Sequence, residues 1–373
     1  MAWYGYQWLN VNTNITVVSF TQALPLSITG LPSWHYPMVM LQGGPEPTFT
    51  QRLTSALVPI LLEAIVKTVG YSYHDYLPMF TPAGIHNPDI AAVAFGFDYP
   101  RPLYPMMHYV GPIVSQRKEV ISDDLQVWLD QKSPRSALCV STGSMLNISK
   151  QLAVSVVAAA LQSKYSILWS IKDRNRDVLD DVDQTVLQNG TVFLSNWLPQ
   201  AAVLRHPSIS VAILHCGLGG VNDALMAGVP IIGDPQITDQ FGNCARIHHQ
   251  GLGGCLHGAG NITSDLLQHS IKEIERGPHR ETIRKLNAIF KEAGGVERAA
   301  DLIEYYHKVG YSHLVPFWAK HQWSTVQYYN FDVYAAVAGV VVLVVFVLYK
   351  CSRCVGRRVC CRGHPAVEKR KTD

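Results

Sequence analysis

The sequence predicts an α/β protein with a parallel sheet, followed by one helix that crosses a membrane. Short apolar segments alternate with helical ones in the second half of the chain, which is typical of a parallel sheet with helices on both faces. The predicted strands are SALCVST, YSILWSI, TVFLSNW, SVAILHC and VPIIGD. The predicted helices cover residues 149–162, 200–205, 220–226 and 240–250. Sheets of this kind bind ligands at the carboxyl ends of their strands.

The first part of the chain has a different character. Residues 1–113 are rich in Pro, Tyr and Met, with an extended segment at NITVVSF and a predicted helix over 53–69. Proline-rich stretches at DYPRP and PMMHYVGPIV indicate a linker. A length of 373 residues suits two domains. We place them at 1–113, a partial domain with its linker, and at 114–320.

Composition excludes several classes of protein. Apolar residues make up 48% of the chain, which is enough for a core and excludes disorder. The net charge of +3, without a basic stripe interleaved with aromatic residues, excludes nucleic acid as a partner. A dinucleotide oxidoreductase is excluded because no predicted strand leads into G-x-G-x-x-G with an acidic residue about 20 positions later.

A transmembrane helix is predicted over residues 331–349. Its core VYAAVAGVVVLVVFVLY is uncharged, aromatic residues flank it from the juxtamembrane segment 321–330, and the tail 350–373 is basic. The positive-inside rule then places the tail in the cytosol and the body in the lumen. Lys369 and Lys371 resemble a dibasic signal for retrieval to the endoplasmic reticulum. Because MAWYGYQWLN lacks the features of a secretory signal, targeting is expected to depend on the anchor or on sequence before Met1.

Cysteines and sequons fit this division. Four cysteines follow the membrane helix on its predicted cytosolic side, namely Cys351, Cys354, Cys360 and Cys361. Palmitoylation is expected at these positions. The other four, Cys139, Cys216, Cys244 and Cys255, are too sparse to specify a disulfide. Sequons at Asn14, Asn147, Asn189 and Asn261 predict a glycoprotein if the body is lumenal.

The ends of the predicted strands carry the polar residues and glycines that a binding site needs. Their pattern, from Trp197 to Gln240, is W-x-P-Q-x₃-L-x-H-x₈-H-x-G-x₁₀-G-V-P-x₄-P-x₃-D-Q. It resembles the donor-binding signature of UDP-glycosyltransferases. DYPRP with YVGPI resembles the interdomain linker of that family, and STGSM resembles its phosphate-binding turn. The stretch IEYYHKVGYSHL, the single anchor and the basic tail resemble the membrane-bound animal glucuronosyl- and glucosyltransferases.

The resemblance implies the GT-B fold, two Rossmann-like domains with the N-terminal one incomplete here, and a UDP-sugar as donor. Trp197 would stack on uracil and Gln200 would meet the base or ribose. His215 and Ser144 would contact the diphosphate together with the backbone amides of Gly217, Gly219 and Gly220. Asp223 would bind the ribose, and Asp239 and Gln240 the transferred sugar. The reaction would invert the anomeric carbon without a metal or other cofactor.

Two site residues depart from the family pattern. Gly219 replaces a residue that is often Asn, and Asp223 replaces a Glu. The family's general base is a His in the early part of the acceptor domain, oriented by an Asp. TNITVVSFTQALPLSITGLPSWHYP resembles the later part, and four histidines do not match the base motif, namely His35, His74, His86 and His108. We therefore expect these 373 residues alone to transfer sugar slowly or not at all.

Three questions stay open at this stage. A membrane-anchored paralogue or fragment without activity, which binds nucleotide sugar or pairs with active family members in homo- or hetero-oligomers, would share the donor signature. A zinc site from His215, Cys216, Cys244 and His249 is a further alternative, although its spacings fit no standard pattern. The sugar is not specified, and the acceptor is expected to be small and lipophilic, in keeping with a site near membrane lipid.

Overall fold

The computed structural model describes residues 19–21, 48–50, 53, 88–100, 102–114, 119–143, 149–182, 184–237, 239–256, 262–317, 325–328 and 330–361, with only the backbone of 19–21, 325, 328 and 354–361. The chain divides into two units, Met1–Val315 and Pro316–Asp373. Apart from Leu53, the helix predicted over 53–69 falls outside the described residues, and so does the site residue Ser144.

The strands of the first unit form two parallel sheets. They are β1 Ser19–Thr21, β2 Asp89–Ala91, β3 Met107–Tyr109, β4 Ala137–Ser141, β5 Ser166–Ser170, β6 Val192–Ser195, β7 Ile209–Leu214, β8 Ile231–Gly233 and β9 Gly253–Cys255. The described part of the first sheet has the order β1-β2-β3, and the second has the order β6-β5-β4-β7-β8-β9. The five predicted strands are β4 to β8, so the predicted parallel α/β sheet is confirmed.

Helices connect these strands and continue beyond the last one. They are α1 Asp123–Asp130, α2 Lys150–Gln162, α3 Gln184–Gln188, α4 Gln200–Leu204, α5 Leu218–Met226, α6 Gln240–His249, α7 Ser264–Arg276, α8 His279–Ala293, α9 Gly295–Val309, α10 Thr325–Tyr328 and α11 Phe331–Cys361. The four predicted helices in this region are α2, α4, α5 and α6, each within two residues of its expected ends. At the start of α2 the Ser149 hydroxyl accepts a hydrogen bond from the Leu152 amide at 3.1 Å, which caps the helix.

The six-stranded sheet has an apolar core on each face. Side chains of successive strand residues point to opposite faces, so in β4 Cys139 joins one cluster with α5 and α6 while Leu138 and Val140 join the other with α2 and α7. Along the chain, β5 and β6 are added on one side of β4, and β7, β8 and β9 are added on its other side, so the direction of addition reverses between β4 and β7. Such a reversal opens a crevice at the carboxyl ends of the strands, where open α/β sheets bind ligands.

The last helix of this unit packs on the first sheet rather than the second. Tyr306 and Leu302 of α9 form a buried cluster with Ile90 of β2 and with Val110. Gly294 is the N-cap of α9 and Gly295 is its first residue, and their φ values are 91° and 55°. The Gly295 amide donates to the Val110 carbonyl at 2.7 Å. The chain therefore returns to the first sheet next to Val110, where it leaves that sheet after β3.

A buried ion pair also joins the two sheets. Asp98 lies in the loop between β2 and β3, and its Oδ1 is 2.8 Å from Nε of Arg246 on α6. Asp98 is fully buried. The Tyr109 hydroxyl donates to its other oxygen at 2.7 Å, so both carboxylate oxygens are satisfied.

The second unit contains the predicted membrane segment. Within α11, residues Phe331–Arg353 are long and apolar enough to span a membrane, with a mean hydropathy of 2.6 over the most apolar window. The helix runs past the predicted end at 349 to Cys361, and no proline lies in this extension. Lys350 and Arg353 lie over the rings of Phe346 and Tyr349, one turn back along the helix.

Candidate functional site

Two strand ends meet at the crevice of the second sheet. After β4 the chain turns at Gly143, where φ is +80° and a Cβ would lie 2.8 Å from the His215 ring. His215 itself follows β7. A Cβ on Gly217 would lie 2.6 Å from its Nε2. Glycine at both positions therefore leaves space for the imidazole.

The turn after β7 leads directly into α5. Cys216 has a φ of +65°, a left-handed conformation that is uncommon outside glycine. Gly217 is the N-cap of α5, and Gly219 and Gly220 lie in its first turn. The amides at a helix N-terminus carry partial positive charge and bind anions such as phosphate. A Cβ on Gly219 would meet no atom within 4 Å, so the missing side chain leaves open space beside this terminus.

The protonation state of His215 follows from its surroundings. Burial lowers the pKa of His215, while a hydrogen bond to the Ser141 backbone and the charge of Asp239 oppose this shift. The imidazole is therefore neutral at pH 7 and has a single N–H, for which the Ser141 backbone and a ligand at the strand ends would compete. Its Nδ1 is buried and has no hydrogen-bond partner among the described residues.

A cleft opens beside these strand ends. Trp197 follows β6, and its side chain is 71% exposed, which is unusual for tryptophan and suits a surface for stacking. Gln200 begins α4, and its Nε2 donates to Oδ2 of Asp223 on α5 at 3.4 Å. Three of the predicted site residues line this cleft, namely Trp197, Gln200 and Asp223. The full lining comprises Glu119, Ser141, Thr142, Gly143, Ser170, Ile171, Lys172, Asn175, Asn196, Trp197, Leu198, Gln200, Ala201 and Asp223.

Asp223 has an unusual environment for a carboxylate. Burial raises its pKa to about 6, and the negative charge of Glu119 adds to the shift. Arg205 and the hydrogen bond from Gln200 act in the opposite direction. A carboxyl group that stays partly protonated near pH 6 is typical of functional sites, where polar groups are held for a ligand.

Asp239 and Gln240 lie at the N-terminus of α6. Like the predicted site residues His215, Gly217, Gly219 and Gly220, they lie outside the lining of the cleft in the described part of the chain. The Oε1 of Gln240 accepts hydrogen bonds from the amides of Gln236 and Ile237, at 2.9 and 3.1 Å. Gln240 is buried, and it shapes the loop before α6. Oδ2 of Asp239 accepts a hydrogen bond from Asn243 at 3.0 Å.

Several lining residues were not predicted from the sequence. Lys172 and Asn175 follow β5, so the rule that ligands bind at strand ends could have found them. Glu119 precedes α1, far from any predicted strand, and no sequence signal points to it. Asn196 stands directly before Trp197, and its Nδ2 donates to Asp173 at 2.6 Å.

The zinc site considered above is wrong. Cys244 forms a disulfide with Cys255, with Cα atoms 5.4 Å apart. A disulfide sulfur cannot act as a thiolate ligand for zinc. The sequence left this bridge open because α6 and β9 come together only in the folded sheet. Within the described ranges, no group of three or more His, Cys, Asp or Glu is arranged to hold a metal ion.

Solved structures identify the fold as GT-B, as predicted. The chain is similar to a UDP-glucose:anthocyanidin 3-O-glucosyltransferase in complex with UDP, with a TM-score of 0.58, 20% identity and coverage of 83% of this chain and 74% of the other. A glycosyltransferase of kitacinnamycin gives a TM-score of 0.55 and 22% identity, covering 81% of this chain and 73% of the other.

Sequence comparison gives the family. Residues 20–364 match the family described as UDP-glucoronosyl and UDP-glucosyl transferase, and the chain belongs to it. Human UDP-glucuronosyltransferase 1A4 is 27% identical over 346 residues, which cover 88% of this chain and 62% of that protein. Rat UDP-glucuronosyltransferase 1A5 is 27% identical over 375 residues, covering 95% of this chain and 68% of that protein. The chain thus spans about two thirds of the length of these relatives.

Proposed function

We propose that the cleft binds a UDP-sugar and that the chain supplies the donor side of a glycosyl transfer to a small lipophilic acceptor. The observation that carries this proposal is the convergence of Trp197, Gln200 and Asp223 on one cleft, with Gly143 between that cleft and His215. Gly143, Trp197 and His215 follow strands, Gln200 begins α4, and Asp223 lies within α5. Support also comes from relatives named UDP-glucuronosyltransferases and from a similar solved structure in complex with UDP.

Each part of the donor has a matching group in this arrangement. Uracil stacks on the exposed face of Trp197, and the ribose hydroxyls donate to the Asp223 carboxylate. The diphosphate lies against the first turn of α5, where His215 adds its N–H. Asp239 and Gln240, at the start of α6, face the sugar. Ser144, which follows Gly143 in the chain, belongs to the diphosphate side of the proposal.

The chemistry that this site favours is displacement at the anomeric carbon. The acceptor oxygen forms a bond to that carbon as its bond to the UDP oxygen breaks, so the configuration inverts. The acceptor proton passes to a base, and the electron pair leaves with UDP. Negative charge that grows on the leaving diphosphate is stabilised by the α5 amides and by His215, which are fixed before the reaction. The proposal needs no metal ion or cofactor.

Calorimetric titration of UDP into the detergent-solubilised full chain tests this proposal. Trp197→Ala is expected to weaken UDP binding by about 1–3 kcal/mol, the range for loss of an aromatic stacking partner. Trp197→Phe keeps an aromatic face and is the matched control. Because the family's base motif was not found in the sequence, binding is a more direct test than turnover. A chain that does not bind UDP would contradict the proposal, and an unchanged affinity in Trp197→Ala would remove Trp197 from the site.

The proposal includes a location, with the body in the lumen of the endoplasmic reticulum and the tail in the cytosol. It rests on the apolar segment Phe331–Arg353 and on the basic residues that follow it. Protease added to intact microsomes is expected to remove only the tail. Digestion of the body in intact microsomes would reverse the orientation. Replacing Lys369 and Lys371 by Ser tests retrieval separately. The topology is expected to stay the same while the variant leaves the endoplasmic reticulum, and a variant that remains there would contradict only the retrieval signal.

A further inference from the structure

A polar stripe runs along one face of α6. Asp239, Asn243 and Arg246 follow one another at intervals of four and three residues, which places them on the same side of a helix. Arg246 pairs with the buried Asp98 at 2.8 Å. Asp239 is the carboxylate proposed to face the sugar. Asn243 lies between these two groups, and neither the sequence signature nor the donor proposal gives it a role.

Asn243 is fully buried, and its amide nitrogen is shared between two acceptors. Nδ2 donates to Oδ2 of Asp239 at 3.0 Å and to the backbone carbonyl of Cys216 at 2.9 Å. Because both partners can only accept, the NH₂ end of the amide must face them, and the orientation of the side chain is fixed. Its two N–H bonds point to the two sides of the proposed site.

Cys216 explains why a donor is needed at this position. Its left-handed backbone lies directly between His215 and Gly217. Its carbonyl therefore turns towards α6, where Asn243 satisfies it. The Oδ1 of Asn243 is buried without a partner among the described residues. Burial of this oxygen without a partner costs free energy. The two hydrogen bonds donated by the NH₂ group are therefore what an asparagine contributes at this position.

We propose that Asn243 is a positioning residue that holds the Asp239 carboxylate at a fixed place relative to the His215–Cys216–Gly217 turn. This inference rests on the proposed function, because Asp239 must meet the sugar for its position to matter. Asn243 acts through Asp239 and touches no part of the donor. The amides of Gly219 and Gly220 belong to α5 and are held by that helix without Asn243. Loss of Asn243 therefore has little effect on the binding of UDP itself and removes the additional affinity that the sugar contributes.

The test measures UDP and UDP-hexose binding to the full chain in parallel, with UDP-glucose, UDP-galactose and UDP-glucuronic acid as probes. Asn243→Ala is expected to reduce the affinity for the preferred UDP-sugar by about 10- to 100-fold, the range for losing a hydrogen bond to a charged group. UDP affinity is expected to stay within about threefold. Asn287→Ala is the matched control. Asn287 also donates to a backbone carbonyl, that of Leu225, at 2.9 Å, and its Oδ1 also lacks a partner among the described residues.

A double-mutant cycle with Asp239→Asn separates positioning from a general loss of packing. If Asn243 acts through Asp239, adding Asn243→Ala to Asp239→Asn causes no further loss of sugar affinity. Additive losses, or equal losses for UDP and UDP-sugar, would overturn the inference. Should the alanine variant not fold, Asn243→Leu keeps a similar size, removes both donors without adding a charge beside Asp239, and serves in the same cycle. If the parent binds UDP without preferring any UDP-sugar, the inference fails while the UDP site stands. If the parent does not bind UDP, the proposed function itself has failed.

Discussion

The negative charge of Asp223 destabilises the folded state, and replacement of Asp223 by Asn removes this charge. Burial is the main reason that the pKa of Asp223 is raised from 3.8 to about 6. A shift of this size corresponds to about 3 kcal/mol between the two protonation states. The raised pKa means that the folded state disfavours the ionised form. This penalty is absent below the unfolded pKa near 3.8, grows as the pH rises, and is complete above a pH of about 6.

Asn has the same shape as Asp and keeps one oxygen for the hydrogen bond from Gln200, which is 3.4 Å long in the parent. Asp223→Asn is therefore expected to raise the free energy of unfolding by at most about 3 kcal/mol at pH 7.5, and to leave it unchanged near pH 4. The same change is expected to weaken UDP binding about tenfold, because the ribose hydroxyls lose a charged acceptor.

Urea unfolding of parent and variant between pH 4 and pH 8 measures this effect. The exposed Asp301 on α9 provides the control, since Asp301→Asn removes a carboxylate without changing burial. Glu119→Gln offers a second step, because removing its negative charge is expected to lower the pKa of Asp223 and shift the pH dependence downwards. The reasoning would be refuted if Asp223→Asn followed the pH dependence of the parent.

Two other substitutions test the framework of the site. Gly143→Ala is expected to destabilise the fold by about 1–3 kcal/mol more than Gly190→Ala. Both glycines have positive φ, at +80° and +76°, but only at Gly143 would a Cβ contact the His215 ring; equal losses on thermal unfolding would show that this contact is unimportant. Arg246→Met leaves the Asp98 carboxylate buried without its cation and is expected to cost about 3–5 kcal/mol. Urea unfolding measures this loss, and a change below about 1 kcal/mol would mean that the pair contributes little.

The strand ends could be predicted because local sequence determines them. The strands β4, β6, β7 and β8 are short apolar segments followed directly by a polar residue, so each strand and the polar group at its end could be predicted together. Trp197 and His215 were placed at strand ends in this way, whereas Asp223, which lies within α5, was assigned from the family resemblance. The α7 helix also carries a readable signal, since Leu267, Ile271 and Ile274 are spaced by four and three residues.

Other features depend on contacts between distant residues. The β9 strand contains Gly253 and Gly254, which have low strand propensity. Gly253 pairs with Ile231 of β8 so closely that a Cβ there would be 1.9 Å from the Ile231 carbonyl oxygen, and only glycine fits at this position. Glu119 meets Asp223 only after folding, and nothing in its neighbours predicts that meeting. The same holds for the Cys244–Cys255 bridge, whose partners lie on adjacent elements of the folded unit.

The return of α9 to the first sheet has a mechanical consequence. The backbone passes between the sheets once after Gly111 and again at Gly294 and Gly295. Gly111 and these two glycines all have positive φ, and the Gly295 amide is bonded to the Val110 carbonyl at 2.7 Å. Because both passages lie together, a rotation of one sheet relative to the other would pivot about this single point. Residues near the pivot would shift little. A rotation about an axis that does not pass through the Asp98–Arg246 pair would stretch or break that pair.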